Sequence, residues 1–225
     1  MPHVIGVEVI EDISGIASPV DGFARRFRHR AQSRLSDGSA TASFTADYVD
    51  RAPGRRDAVA VILYEPDDEL ARTRVLLRQQ MRYPVYVAAG APLMTEVVAG
   101  ILEPGESPLD AARRETTEET GFTVDAADAT RLGGPFYPSP GIMCEMVYVV
   151  AVRLPSGALD APLPEGAGDG SPMEVGARPV VLSLNEALGL PARPPRADPA
   201  DITLCDAKTE IALRRLRSWL QGEHP

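Results

Sequence analysis

Residues 100–122, GILEPGESPLDAARRETTEETGF, constrain this chain more than any other stretch, because they specify a helix with both ends marked and one face crowded with acid. Ser107 stands at the N-cap, Pro108 at the first helical position, where its missing N–H costs nothing, and Asp110 carries negative charge into the first turn. Gly121 supplies the stop. Between these signals Glu115, Glu118 and Glu119 fall at i, i+3 and i+4, so three carboxylates share a face. Each like-charge pair at that spacing costs about 0.2–0.5 kcal/mol, and Arg114, four residues before Glu118, relieves only part of it. Something cationic should sit there. Hard divalent ions such as Mg²⁺ take oxygen ligands and commonly combine a few carboxylates with substrate phosphates. The glycines of the preceding VVAGILEPGE let backbone approach the same place, which adds a carbonyl to the donor set. Paired metals of this kind clamp the attacking and departing oxygens of a phosphorus centre.

The rest of the chain has to fold around that helix. AVAVILYEP (58–66) and TRVLLRQQM (73–81) read as buried strands before it, and CEMVYVVAVRL (144–154) and ARPVVLSL (177–184) as strands after it. Ahead of this core, residues 4–10 and 23–50 are β-like, with Asp37-Gly38 as a hairpin signal, and form a candidate small N-terminal sheet. Between the later strands lies PSGALDAPLPEGAGDGSP, a connection long enough to suggest a functional cover. The segment CDAKTEIALRRLRSWLQG closes the chain as a helix with Ile211, Leu216, Trp219 and Leu220 on one stripe. Strands mixed with two good helices predict a layered α/β domain over 56–225, with residues 1–55 as a separate β-sheet region.

Charge and composition remove several function classes. The formal net charge of −9 argues against general nucleic-acid binding, which needs a basic face. No apolar run approaches the roughly 20 residues that span a bilayer, and the start of the chain lacks a secretory pattern, so the expectation is a soluble cytoplasmic protein without membrane partners. Cys144 and Cys205 are too few for a disulfide framework and read as free thiols. Lysine occurs only at position 208, so nearly all positive charge is arginine.

The spacing Gly100, Glu106, Arg114-Glu115, Glu118-Glu119, Gly121-Phe122 resembles the Nudix box, Gly-x5-Glu-x7-Arg-Glu-U-x-Glu-Glu-x-Gly-U with U apolar. Seven fixed residue types at fixed spacing arise by chance with probability on the order of 10⁻⁹ per starting position. Thr116 departs from the pattern at the first U position, and its hydroxyl must find a partner. RQQMRYPVY, TEVVAG, YPSPG, DAKTEIALRRL and FRHR resemble the branch of Nudix hydrolases that contains ADP-ribose pyrophosphatases and other nucleoside-diphosphate-sugar hydrolases. The resemblance implies an α/β/α sandwich with a mixed sheet, preceded by a small antiparallel sheet exchanged between the subunits of a homodimer.

It also implies roles. Glu115 and Glu119 match metal ligands for Mg²⁺ or Mn²⁺, Glu118 an additional or alternating one, and the Ala99 carbonyl a further one. Arg114 and Glu106 orient that set. Gln80 and Arg82 match a position that grips phosphates. Glu96 and Glu145 read either as acceptors for sugar hydroxyls or as strand-end charges. The catalytic base falls on the long loop, where Glu165, Asp169 and Glu174 are the candidates and Glu174, at the junction with the next strand, is favoured. Phe23 and Phe27 are the aromatic residues available for base stacking, and His29 reads as a hairpin surface residue. The implied reaction is hydrolysis of the pyrophosphate of ADP-ribose or a related nucleotide sugar. GDP-mannose or another nucleotide sugar is the alternative, and a non-catalytic nucleotide-sugar sensor is the competing class, disfavoured by the intact box carboxylates.

Overall fold

The computed structural model describes residues 4–12, 24–51, 57–90, 93–160, 162–164, 166–168, 176–196, 198 and 200–223. They divide into two compact units, residues 1–56 with 137–146 and residues 57–136 with 147–225.

The first unit is a three-stranded antiparallel sheet, β1 (Val4–Asp12), β2 (Ala24–Leu35) and β3 (Phe44–Arg51), in that order. The turn between β2 and β3 is the one expected at Asp37-Gly38: Gly38 has φ 85°, and the Asp37 carboxylate accepts the Ser39 amide at 2.9 Å. Phe27 and Tyr48 are cross-strand neighbours and stack at 4.9 Å, with His29 edge-on to Tyr48 at 5.2 Å. His29, on the β2–β3 hairpin as expected, joins an aromatic cluster there. Phe44 and Ile10 are exposed.

The second unit is built on a seven-stranded mixed sheet of β4 (Ala58–Glu65), β5 (Arg74–Met81), β6 (Leu93–Glu96), β7 (Val98–Ile101), β8 (Ala129–Arg131), β9 (Val147–Arg153) and β10 (Arg178–Ser183). Every residue of β4 is buried, because both faces of the sheet are covered. Val59, Val61 and Leu63 pack toward α2 (Pro108–Thr120), together with Ala111, Ala112, Val150 and Val152. Ala60, Ile62 and Tyr64 face the opposite way, toward Leu184 and Ala187 of α3 (Leu184–Leu188) and Ala212, Leu213 and Leu216 of α4 (Ala207–Leu220). Helices thus lie on both faces of one sheet. The stripe expected on the closing helix is present but is centred on Thr209, Ala212, Leu213 and Leu216, with Ile211, Trp219 and Leu220 at its flanks.

The feature that positions the site is a split. β4 and β5 pair with each other only through Leu63–Glu65 and Arg74–Leu76. Beyond that point they part, and β6 and β7 fill the opening, β6 bonded to β5 and β7 to β4. These two strands, the short helix α1 (Tyr83–Ala89) and the short helix α3 were absent from the expectations drawn from sequence.

Because Leu213 is fully buried at the contact of α4 with the sheet, Leu213→Ala should lower unfolding free energy by about 2–5 kcal/mol in denaturant melts.

Candidate active site

The local signals read from sequence around α2 are realised atom by atom. The Ser107 hydroxyl accepts the Asp110 amide at 3.2 Å, and Gly121 adopts φ 76° with its N–H on the Thr117 carbonyl at 2.9 Å. Thr116 is fully buried, and its hydroxyl donates to the Ala112 carbonyl at 2.7 Å. The departure from the box pattern is thereby satisfied within the helix itself.

Arg114 organises the helix face. Its Nε and Nη2 hold Glu106 in a fork, both at 3.0 Å, while Nη2 also donates to the Ile101 carbonyl at 3.0 Å. Nη1 bridges Glu115 at 2.7 Å and Glu118 at 3.0 Å. The paired hydrogen bonds to Glu106, followed by those to Glu115, push the Arg114 guanidinium above its ordinary range, and the same fork holds the Glu106 carboxyl below its own. Glu119 turns the other way, with its Oε2 2.6 Å from Arg78 Nη1. Arg78 comes from β5 and is only 8% exposed, so this ion pair is nearly dry. It was not singled out from sequence, although an arginine within the apolar run RVLLRQQM was a signal that could have found it.

Glu115 itself is 8% exposed, and its carboxylate lies against the Cα of Gly100, where an added Cβ would stand 1.7 Å from Oε1. Burial pushes the Glu115 carboxyl up, the charges of Glu118 and Glu106 add to that push, and Arg114 opposes it only partly. A buried carboxylate in that condition favours a further cation. Carboxylate and carbonyl oxygens are the donors that suit a hard divalent ion. Among the described residues no three acidic, histidine or cysteine side chains are gathered as a ready ligand cluster. The carboxylates are engaged by Arg114 and Arg78.

A second group forms where β5 meets β6. Gln80 Nε2 and Arg82 Nε both donate to Glu96 Oε1, at 3.1 and 2.5 Å, and Lys208 Nζ pairs with Oε2. Three residues assigned to substrate from sequence therefore do converge. Glu96, however, is 1% exposed and has its carboxylate occupied by protein donors. Glu145 belongs to the first unit, where it pairs with Arg51 at 2.7 Å.

Glu165, Asp169 and Glu174, the candidate bases, lie outside the described residues, as does Phe23. The loop that carries the three acids is nonetheless anchored on α2. The Gly168 amide donates to the Glu118 carbonyl at 2.8 Å, and a Cβ on Gly166 would lie 2.3 Å from that same carbonyl. A cavity of about 600 Å³ opens beside this contact, lined by Arg78, Glu119, Phe122, Leu163, Gly166 and Arg178 among others.

Residues 54–201, more than half the chain, match the NUDIX domain family. The chain belongs to that family. Among characterised relatives, the ADP-ribose pyrophosphatase of Escherichia coli (strain K12) is 34% identical over 116 residues, 52% of this chain and 48% of the relative. The GDP-mannose pyrophosphatase of Yersinia pestis (strain Pestoides F) is 34% identical over 100 residues, 44% of this chain and 46% of the relative. The NUDIX chain thus spans about half the length of the curated relatives it matches. A solved structure described as an ADP compounds hydrolase superposes with a TM-score of 0.59 over 99% of this chain and 95% of its own, at 19% identity. That likeness carries the fold.

The Gly100 contact makes a sharp prediction. Gly100→Ala should expel the Glu115 carboxylate and cost about 1–3 kcal/mol by overpacking. In a Glu115→Ala background the same substitution should cost much less, a coupling that a double-mutant cycle of denaturant melts would measure.

Proposed function

We propose that this chain hydrolyses the pyrophosphate bond of a nucleoside diphosphate sugar, ADP-ribose or a relative such as GDP-mannose, to a nucleoside monophosphate and a sugar phosphate, with Mg²⁺ or Mn²⁺ as cofactor. The observation that carries the reading is the Glu115 carboxylate seated on Gly100 beside Glu118 and Glu119. It supports a cation at this helix of a NUDIX domain, because burial raises the Glu115 carboxyl and Arg114 offsets that only partly. The printed activities of the two relatives supply the substrate class.

In this reading Glu115, Glu118, Glu119 and the Ala99 carbonyl hold the metal, which supplies Lewis-acid polarisation of the phosphoryl oxygens and an acidified water. Arg114 and Glu106 fix the orientation of the carboxylates, an outer role of the kind that determines ligand geometry. Gln80 and Arg82 bind the diphosphate, for which a guanidinium fork is well shaped. Carboxylates committed to a cation are poor proton acceptors, so the base is a separate group. The loop that touches α2 through Gly166 and Gly168 carries Glu174, to which we assign that role, with Glu165 and Asp169 as its controls.

The first unit we assign to homodimerisation, with residues of one subunit's N-terminal sheet lent to the partner's site. A small sheet that carries Phe27, Tyr48, exposed Phe44 and exposed Ile10 gains by covering those side chains against a partner. With a net charge of −9, and with no described helix long and apolar enough to cross a membrane, nucleic acid and bilayer are not assigned as partners, and the cytoplasm is the assigned compartment.

Turnover of ADP-ribose, GDP-mannose, UDP-glucose and ADP-glucose should vanish in EDTA and return with Mg²⁺ or Mn²⁺. Glu119→Gln, which keeps shape and removes charge, should lose most of kcat; undiminished turnover would remove the helix from the mechanism. Glu174→Gln should lower kcat by about 10²–10⁴ with KM little changed, and the Glu165 and Asp169 variants should not. Light scattering that finds an active monomer at assay concentration would end the dimer assignment.

A further inference from the structure

Glu96 presents its two oxygens to two different parts of the second unit. Oε1 faces β5 and accepts from Gln80 and Arg82. Oε2 faces the start of α4 and pairs with Lys208. Lys208 in turn reaches Asp206 Oδ2 at 2.9 Å, the oxygen that caps α4 by accepting the Thr209 amide at 3.0 Å and the Thr209 hydroxyl at 2.5 Å. The Thr209 hydroxyl then accepts the Val97 amide, one residue beyond Glu96, at 2.9 Å. Lys208 has a side chain only 20% exposed and is the sole lysine of the chain. Everywhere else the sequence uses arginine for positive charge. A compact ammonium with three donors fits between two carboxylates at a helix start where a planar fork fits less well.

The consequence falls on Arg82. Among the described residues its guanidinium is held through Nε alone, its side chain is 40% exposed, and the terminal Nη groups are left for a ligand. A buried Glu96 with no second cation would tend either to protonate and release Arg82 or to draw in the whole fork. Burial alone would push the Glu96 carboxyl up, but the charges of Lys208 and Arg82 outweigh it and hold it below its ordinary value.

We infer that Lys208 is a positioning residue: it keeps Glu96 anionic and turned so that Glu96 grips Arg82 from behind by Nε and presents the terminal fork to a diphosphate. The inference rests on the proposed diphosphate substrate for the direction in which Arg82 acts. The charged and titratable groups that bear on Glu96 are Arg82 at the start of α1, Lys208 from α4, and Asp206 and Cys205 from the segment before α4, while Glu119 acts on Arg82 from α2.

The test compares wild type, Lys208→Met and Lys208→Arg with ADP-ribose and Mg²⁺ between about pH 6 and pH 8.5. Lys208→Met should raise KM by about 10- to 100-fold, the range for losing an outer-shell partner, with kcat within about threefold. Its KM should worsen further as pH falls, because Glu96 without the ammonium takes a proton at higher pH and lets Arg82 go, whereas wild-type KM stays flat. Lys208→Arg, which keeps the charge but not the compact shape, should remove the pH dependence while recovering only part of the KM loss. A Lys208→Met enzyme with wild-type KM at both ends of the range, or with kcat and KM impaired together at every pH, overturns the inference. A second measurement does not need turnover. In protein carrying ¹⁵N-lysine the single side-chain signal should report an ammonium that stays charged above the ordinary lysine range and returns toward it in Glu96→Gln; a signal indifferent to Glu96→Gln also overturns the inference. If wild type hydrolyses none of the nucleotide sugars, the proposed function fails separately, and calorimetry with inorganic pyrophosphate and Mg²⁺ then decides: binding about tenfold weaker in Lys208→Met supports the positioning role, and equal binding sinks it.

Discussion

One guanidinium holds the carboxylate face together. Arg114 spends its donors on four acceptors from three stretches of chain: the Ile101 carbonyl at the end of β7, Glu106 in the following loop, and Glu115 and Glu118 one and four residues further along its own helix. Without it, three acids on one helix face and a fourth in the loop would repel one another beside a helix whose other face is committed to the core through Ala111, Ala112 and Thr116. Its side chain is 28% exposed, which is buried enough for the pairs to matter and open enough that their exchange for another cation does not strand a charge in a dry interior. The acidic helix is thus tolerable because arginines from the same fold meet it.

The second constraint is the parting of β4 and β5. Residues 93–101 fill the opening, and both ends of the candidate site depend on that one short segment. At its end, Ala99 and Gly100 bring backbone beneath Glu115. At its middle, Glu96 gathers Gln80, Arg82 and Lys208, and the Val97 amide is pinned to Thr209 on the other face of the sheet. The segment is thus tied to α4 by the Val97–Thr209 and Glu96–Lys208 contacts while its end lies against Glu115 of α2.

What the sequence made legible was whatever is coded by local spacing. The caps of α2, the i, i+3, i+4 carboxylates, the Asp37-Gly38 turn and the long apolar strands are all decided within a few residues, and the structure repeats them. What it hid was coded by topology. β6 and β7 have no alternating pattern of their own, because they are defined by the strands they bridge. Arg78 finds Glu119 across 41 positions and Lys208 finds Glu96 across 112, distances over which no periodicity operates. Glu145 pairs with Arg51 across 94 positions, and contact groups residues 137–146 with the first unit, neither of which any local pattern encodes.

Two buried glutamates show how environment separates roles that residue type leaves merged. Glu96 and Glu115 are 1% and 8% exposed, and burial by itself raises both. Glu96 ends below its ordinary value because two full cations, Lys208 and Arg82, share it with an amide. Glu115 ends above its ordinary value because its one guanidinium is divided among three carboxylates and its neighbours Glu118 and Glu106 are themselves negative. Glu96 is electrostatically complete, and adding a ligand there would displace a protein donor at a cost. Glu115 is incomplete, and adding a cation there removes a deficit the fold has left in place. The charge balance thus separates the two glutamates: Glu96 is met by two cations of its own fold, and Glu115 by one guanidinium shared with Glu106 and Glu118.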